Sequence, residues 1–502
     1  MTSHETTGGL RWWALALVVI APRLLVFPWN ENLAGDAVAR TFLAHRWLAD
    51  PQLAGSFNHP FQQFGPLHLY LLAFAEWLWP SLEHAGRLVS LVCGAATALP
   101  LHALTRRLFG GVGASWAMLG LGLWGLHVQV STTAASEALN LLLVVSAVAL
   151  LQAWWDEDRR VLLLAAALCL DLACATRYDT WLLVPFAIAV VWWRRRRWGT
   201  TLGFALAVNA FAVPWMIGNW LELGHPLYPF RYIDDFHRDW FPKEAAVWGE
   251  PWYRLLCLVF WPGAALLTLT PLLALAGMAG LVRAWRTRPE LRWLVAWVVV
   301  PAVLVTVRAV VFSRFVPLVR FTMKEVVLLL PFAWFGAQPV LERLGPRARR
   351  AWQGAAVAFA VAWPVASGWA CSRTQGAWVD TLRAISPTST NSPRLMAVAR
   401  WLSSHVGPEG GLVVDVDPRG YDDLNVGFFS GVPYERQARR RSTAFEERLR
   451  ALRPDYIVRV DGGELERDPR FAFTPGGASF DGARFDEVPG FSPPWHVYRR
   501  AP

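Results

Sequence analysis

The stretch Pro28–His68, PWNENLAGDAVARTFLAHRWLADPQLAGSFNHPFQQFGPLH, separates the first membrane-length apolar run from a long series of further apolar runs. It carries Glu31, Asp36 and His59, while most of the sequence from there to about position 370 is hydrophobic enough to sit in lipid. Ionisable groups held beside a membrane helix are costly, and a functional use is the default reading of them.

Composition supports this frame. Hydrophobic residues make up 54% of the 502 positions and charged residues 17%, against about 25% charged in soluble domains. The thirty tryptophans gather near the ends of apolar runs, as in Trp12-Trp13, Trp77 and Trp79, Trp154-Trp155 and Trp192-Trp193, which is the pattern of interfacial aromatic belts. The expected fold class is an α-helical polytopic membrane protein. No small-residue cleavage site follows the first run, so the first helix is expected to stay as an anchor.

The location of the charge gives the topology. Eleven apolar runs lie between positions 10 and 370, and arginines crowd alternate connections: Arg106-Arg107, Arg159-Arg160, Arg194–Arg197, Arg283–Arg292 and Arg343–Arg350. With the N-terminus inside and one crossing per run, all of these clusters fall on the cytoplasmic side, as the positive-inside rule requires. With Arg11 they hold seventeen arginines against six acids, which accounts for the formal charge of +10. Nucleic-acid binding is not needed to explain the basic balance. Gly65–Pro80 is apolar but shorter than the roughly 20 residues of a spanning helix. Counting it as a span would turn the first arginine clusters outward, so it reads as a re-entrant or interfacial helix. About eleven spans are expected, with the C-terminus outside.

From about Asp380 the character changes, with seventeen basic and seventeen acidic residues. Ser392-Pro393 opens a predicted helix to His405, and Thr443 with Glu446 resembles a capping box. Gly411–Asp417, Pro454–Asp461 and Trp495–Arg500 read as strands. The expected division is a membrane domain over 1–375, with its first outer loop at 28–85, and a small extracytoplasmic α/β domain over 376–502. The five cysteines sit in or beside apolar runs, which points to no disulfide framework.

The outer face collects the candidates for chemistry: Glu31, Asp36, His59, His68, Glu137, Arg177, Asp179, Arg308, Arg314, Arg320, Lys324 and Glu325. Carboxylates opposite guanidinium groups suit a site that takes a proton from one substrate and holds a phosphate of another. Plainer roles are also open. Glu137 suits a helix N-terminus, Arg177 can pair with Asp179 or Asp171, and Arg308 and Arg314 can snorkel to headgroups. Asp171 suits a structural partnership with an arginine. Asp415-Val416-Asp417 superficially matches a metal-binding DxD pattern, but the glycine-rich nucleotide loop of such a domain is missing. No metal or cofactor site has sequence support.

The order of landmarks resembles the GT-C class of polytopic glycosyltransferases, specifically the family 39-like group of protein O-mannosyltransferases and aminoarabinose lipid A transferases. The residues are Gly35-Asp36-Ala37, Gly65-Pro66-Leu67-His68-Leu69-Tyr70-Leu71, Gly86-Arg87-Leu88, Thr105–Gly110, Ala135-Ser136-Glu137-Ala138, Ala175-Thr176-Arg177-Tyr178 and Gly224–Pro229. The resemblance implies a polyprenyl-phosphate sugar donor, an envelope lipid, glycan or protein acceptor, and transfer with inversion. Carried over residue by residue, it makes Asp36 the base, with Glu31 second, and gives Glu137 a role toward the acceptor. Arg177, Arg320, Lys324 and His68 would bind the lipid phosphate. Asp36 lacks the adjacent second acid of protein mannosyltransferases, and Gly65 stands where the family has proline. Forty-six arginines against two lysines suggest a GC-rich genome and hence a bacterial inner membrane. The competing class is a multi-pass transporter or lipid-linked sugar flippase, although no internal repeat of the kind common in transporters is visible.

Overall fold

The computed structural model describes residues 12–28, 30, 35–57, 63–372, 393–407, 409–416, 422–440, 442 and 444–502. The chain forms two compact units, Met1–Asn32 with Ala54–Thr388 and Leu33–Leu53 with Ser389–Pro502.

The first unit is helical. Among the described residues, four helices are long and apolar enough to cross a membrane: Ala85–Leu123, Ser136–Glu157, Pro289–Val310 and Pro346–Cys371. Two bent pairs raise the number to six. Gly110 (φ +77°) interrupts the first of these just after Arg106-Arg107, a backbone state that glycine enters without a Cβ penalty. The expected 86–104 and 113–130 runs are thereby separated where the charges had placed a connection. Other expected spans are shorter helices, including the 15-residue Trp12–Val26, the 17-residue Arg160–Thr176 and the 13-residue Leu183–Arg195. The expected count of eleven therefore includes helices below the roughly 20 residues of a full span.

Lipid-suited surface is plentiful. Val92, Leu99, Leu206 and Leu221 are exposed on these helices, positions that water would disfavour and acyl chains would cover. Inside the unit, Pro271–Thr287 and Leu329–Arg343 pack at backbone distance. A β-carbon on Gly280 would run into the Phe332 carbonyl, and one on Gly336 into the Ala276 carbonyl. Small residues permit this close approach where no hydrophobic effect drives helices together. The 65–80 segment is a 13-residue helix, Pro66–Leu78, with proline in its first turn.

Tyr228–Trp248 was not foreseen as a helix. Its 21 residues include Arg231, Asp234, Asp235, Arg238 and Asp239, too polar a set for a span. His237 from its buried side accepts the Val316 N–H at 3.1 Å.

The second unit is built on a seven-stranded mixed sheet, order β2-β1-β3-β7-β6-β5-β4. The strands are β1 Gly411–Val414, β2 Gln437–Arg439, β3 Pro454–Val460, β4 Phe471–Thr474, β5 Gly477–Phe480, β6 Ala483–Glu487 and β7 Trp495–Arg500. β1 runs parallel to β2 and β3, and the remaining pairs are antiparallel. The parallel half needs crossover helices, supplied by Asp422–Phe429 and Phe445–Ala451. Period-two alternation divides the core. Leu412, Val414 and Val458 pack with Leu395, Val398 and Leu402 of the Pro393–His405 helix on one face. Val413 and Ile457 pack with Phe445 and Leu449 on the other.

Three strands of this unit match expected ones, whereas β2, β4, β5 and β6 were not foreseen. The expected capping box rests on Thr443, which lies outside the described residues; a helix follows there, Phe445–Ala451. The helix begins at Phe445 with no side-chain cap, and the Ala444 N–H finds Ser442 Oγ at 3.3 Å.

The expected outer loop 28–85 is shared between the units. Gly35–Ala49 packs against the tail: Phe42 stands edge-on to Phe428 at 5.3 Å and tilted to Tyr434 at 5.4 Å. The cause is the apolar stripe Val38, Phe42 and Leu43, all buried, on a helix that also carries Arg40 and Arg46.

Candidate active site in the helical unit

The charged cluster of the first unit is built on three short backbone events. Ala135 is extended and Ser136–Glu157 begins directly after it, placing Glu137 in the first turn, where a negative charge complements the helix dipole. Arg160–Thr176 ends because Arg177 is extended (φ −147°, ψ 128°), and the chain turns through the 3₁₀ segment Tyr178–Leu182. Asn140 locks the two together by donating to the Ala173 carbonyl at 3.0 Å and to Thr180 Oγ1 at 2.9 Å. The third piece is the 3₁₀ turn Val319–Thr322, which passes into Met323–Val326 and puts Arg320 and Lys324 four residues apart, the spacing at which helical side chains share a face.

The side chains then converge. Arg177 Nη1 donates to Glu137 Oε1 at 2.5 Å and to Ser136 Oγ at 3.1 Å, while its Nε donates to Asp179 Oδ1 at 3.1 Å. Lys324 Nζ reaches Asp179 Oδ2 at 2.6 Å, and Arg320 Nη1 lies 3.8 Å from Glu137 Oε1. Both guanidinium groups lie over the Phe321 ring, Arg177 at 5.6 Å and Arg320 at 5.5 Å from its centroid. Side chains of Glu137, Lys324, Arg177 and Arg320 are 5%, 9%, 11% and 12% exposed, and Asp179 keeps 35%. Burial pushes the Asp179 carboxyl up, but Arg177 and Lys324 overcome it and hold the group well below the usual carboxylate range. Glu325 is buried beside Lys324, and its Oε2 has no hydrogen-bond partner among the described residues.

Three cations thus face two acids bound to them, with one side open at Asp179. Such an array can accept an anionic oxygen, since guanidinium and ammonium donors are preorganised there at low cost in rearrangement. The chain leading into the Pro66–Leu78 helix seats against it. A β-carbon on Gly65 would run into the carbonyl oxygens of Ala175 and Thr176, so glycine lets the chain touch the turn that carries Arg177.

Of the expected site residues, Glu137, Arg177, Arg320 and Lys324 come together here. His68 is fully buried on the adjacent Pro66–Leu78 helix. Asp36 lies partly buried in the first turn of Gly35–Ala49, in the second unit. Glu31 and His59 lie outside the described residues. Asp179 was expected at the outer face and as a partner of Arg177, but its bridge to Lys324, 145 residues away, had no local signal. Arg308 and Arg314 pair with Asp234 at 2.7 and 3.3 Å, so they do more than snorkel. Asp171 accepts the Phe211 N–H at 3.0 Å, a backbone partner where an arginine was expected. Asp415 accepts the Val416, Val460 and Leu465 N–H groups at 2.8, 3.2 and 2.9 Å, a loop-closing role; Asp417 lies outside the described residues. Among the described residues no group of three or more His, Cys, Asp or Glu is placed to hold a metal ion.

Comparison with known proteins agrees with this architecture. Residues 58–218 match the family described as dolichyl-phosphate-mannose-protein mannosyltransferase. A comparison with curated protein sequences gives no match. ArnT from Cupriavidus metallidurans bound to undecaprenyl phosphate is similar with a TM-score of 0.63 and 14% identity, over 97% of each chain. Its apo state gives 0.59 and 15%, again over 97% of each chain. The Archaeoglobus fulgidus oligosaccharyltransferase in complex with Zn and sulfate gives 0.53 and 14%, over 97% of this chain and 72% of that one. Over nearly its whole length the chain has the fold of the GT-C class of polytopic membrane glycosyltransferases.

Proposed function

We propose that this protein moves a sugar from a polyprenyl-phosphate donor to an extracytoplasmic acceptor, with inversion at the anomeric carbon. The observation that carries the reading is the buried convergence of Arg177, Arg320 and Lys324 on Glu137 and Asp179, in a chain with the GT-C fold. A lipid-linked donor is supported by the similar ArnT structure, which is bound to undecaprenyl phosphate. Arg177, Arg320 and Lys324, with His68, are assigned to the donor phosphate. They offset the charge that grows on it as the sugar–oxygen bond breaks. Phosphate departs readily without protonation, so no general acid is required.

Asp36, with Glu31 second, is assigned as the base that removes the acceptor hydroxyl proton while the acceptor oxygen forms the new bond from the opposite side. Glu137 orients the acceptor through its hold on Arg177. The N-terminus is placed in the cytoplasm and the 376–502 region outside, in the inner membrane of a bacterium, on the arginine distribution. The acceptor, whether envelope lipid, glycan or protein, is left at that class. The fold and the family match favour this reading over a transporter or flippase.

The test incubates purified protein with labelled polyprenyl-phosphate sugars and acceptor-bearing membranes. Wild type transfers label, and Asp36→Asn loses transfer while still binding the lipid-linked sugar. Full transfer by the variant would refute the base assignment.

A further inference from the structure

Three guanidinium groups of the second unit have no carboxylate partner among the described residues. Arg46 on Gly35–Ala49, Arg439 at the end of β2 and Arg448 on Phe445–Ala451 lie over the Tyr434 ring, 5.0, 5.0 and 4.0 Å from its centroid. Neighbouring arginines of the same unit are paired: Arg436 with Glu409, Arg459 with Asp461 and Glu466, and Arg470 with Asp468 and Glu446.

Holding three like charges around one ring is unfavourable, since their distances to its centroid put them no farther apart than about 10 Å, a Debye length. Arg439 is only 5% exposed, and its Nε has no hydrogen-bond partner among the described residues. Arg448 spends Nη1 on the Tyr434 and Gln437 carbonyls, at 2.7 and 3.2 Å. The Arg46 side chain donates to no described residue. Each guanidinium carries five N–H donors; the Tyr434 hydroxyl is hydrogen-bonded to Arg439 and Arg448, and most of the fifteen find no acceptor among the described residues. The aromatic faces recover about 0.5–2 kcal/mol per cation, which does not satisfy those donors. The corner is strongly positive: burial would raise the Tyr434 phenol, yet Arg439, Arg448 and Arg46 bring it below its ordinary value.

We propose that Arg46, Arg439 and Arg448 form a binding site for a phosphate group. A phosphate monoester matches three forks better than a single carboxylate does, because it carries up to two charges and three acceptor oxygens. Arg439 supplies the buried back wall, and the partly exposed Arg46 and Arg448 form the entrance. The shared chemistry allows two sources, a phospholipid headgroup or a soluble phosphorylated compound. The site belongs to the second unit, and the proposal does not depend on transfer activity.

The test uses the full chain in phosphatidylcholine nanodiscs, titrated with inorganic phosphate by calorimetry. Lys324→Met in every sample removes a main cation of the other cluster. In that background the parent binds phosphate, and Arg46→Gln/Arg448→Gln, at two partly exposed positions, binds at least tenfold more weakly with an unchanged melting temperature. Arg46→Lys/Arg448→Lys falls between them. Adding phosphatidic acid to the nanodiscs raises the apparent Kd of the parent, but not that of the double glutamine variant, if a lipid headgroup is the occupant. It affects both alike if the occupant is soluble. Equal affinity in parent and double glutamine variant, or no binding by the parent, would overturn the site.

Discussion

Arg177 and Glu137, forty residues apart, meet at 2.5 Å with side chains 11% and 5% exposed. This one pair ties the start of one helix to the end of another, and Asp179 and Lys324 extend it to a third segment. Removing Arg177 leaves the buried Glu137 with the more distant Arg320, 3.8 Å away, and breaking a buried pair costs up to about 3–5 kcal/mol. Arg177→Met should therefore lower the unfolding temperature sharply. Arg177→Met/Glu137→Leu should recover much of the loss in thermal unfolding while remaining inactive.

Lys324 acts differently, because Asp179 keeps Arg177 when the ammonium is removed. Lys324→Met should express and fold while its transfer rate falls about 10²–10³-fold, the usual effect of losing one preorganised donor. Initial rates with a lipid-linked sugar check this. A drop in melting temperature as large as that of Arg177→Met would assign Lys324 to stability.

Gly65 offers a steric test. In Gly65→Ala the new methyl meets two backbone carbonyls that cannot swing aside, so the Arg177 turn must move. Overpacking of this kind costs about 1–3 kcal/mol, and transfer should fall with it. Gly203→Ala, whose β-carbon meets nothing within 4 Å, is the control and should match wild type in both readouts.

His237 sets a pH window. Burial first, then Arg308 and Arg320, lower it from 6.5 to about 4, against Asp234. Its Nδ1 must stay neutral to accept from Val316. In the unfolded chain it takes up a proton below pH 6.5, while in the folded protein it resists until about pH 4. Stability is therefore full above 6.5, declines as pH falls toward 4, and then levels off. Hydrogen exchange at the Val316 amide, corrected for its intrinsic rate, should lose protection across that window. His237→Gln should flatten the dependence.

Much of the candidate site was legible residue by residue. Arg177, Glu137, Arg320 and Lys324 stood out because ionisable groups in apolar surroundings are expensive. Their partnerships were not legible, since Asp179 looks like a turn acid and Asp234 like part of a polar loop until distant segments are brought beside them. The short strands β4, β5 and β6 escaped for a related reason. Their four or five residues carry too little alternation to stand out, and pairing in turn, β6 on β7, β5 on β6 and β4 on β5, decides them.

The sequence by itself determined the membrane class, the helical unit followed by an α/β tail, and the turn after Arg106-Arg107, because hydropathy, charge and glycine act locally along the chain. Only the tertiary structure decided that Gly35–Ala49 packs with the tail and that Lys324 neutralises Asp179. Both depend on which surfaces meet after long loops close, and that is settled by burying Phe42 against Phe428 and by pairing charges that water no longer solvates.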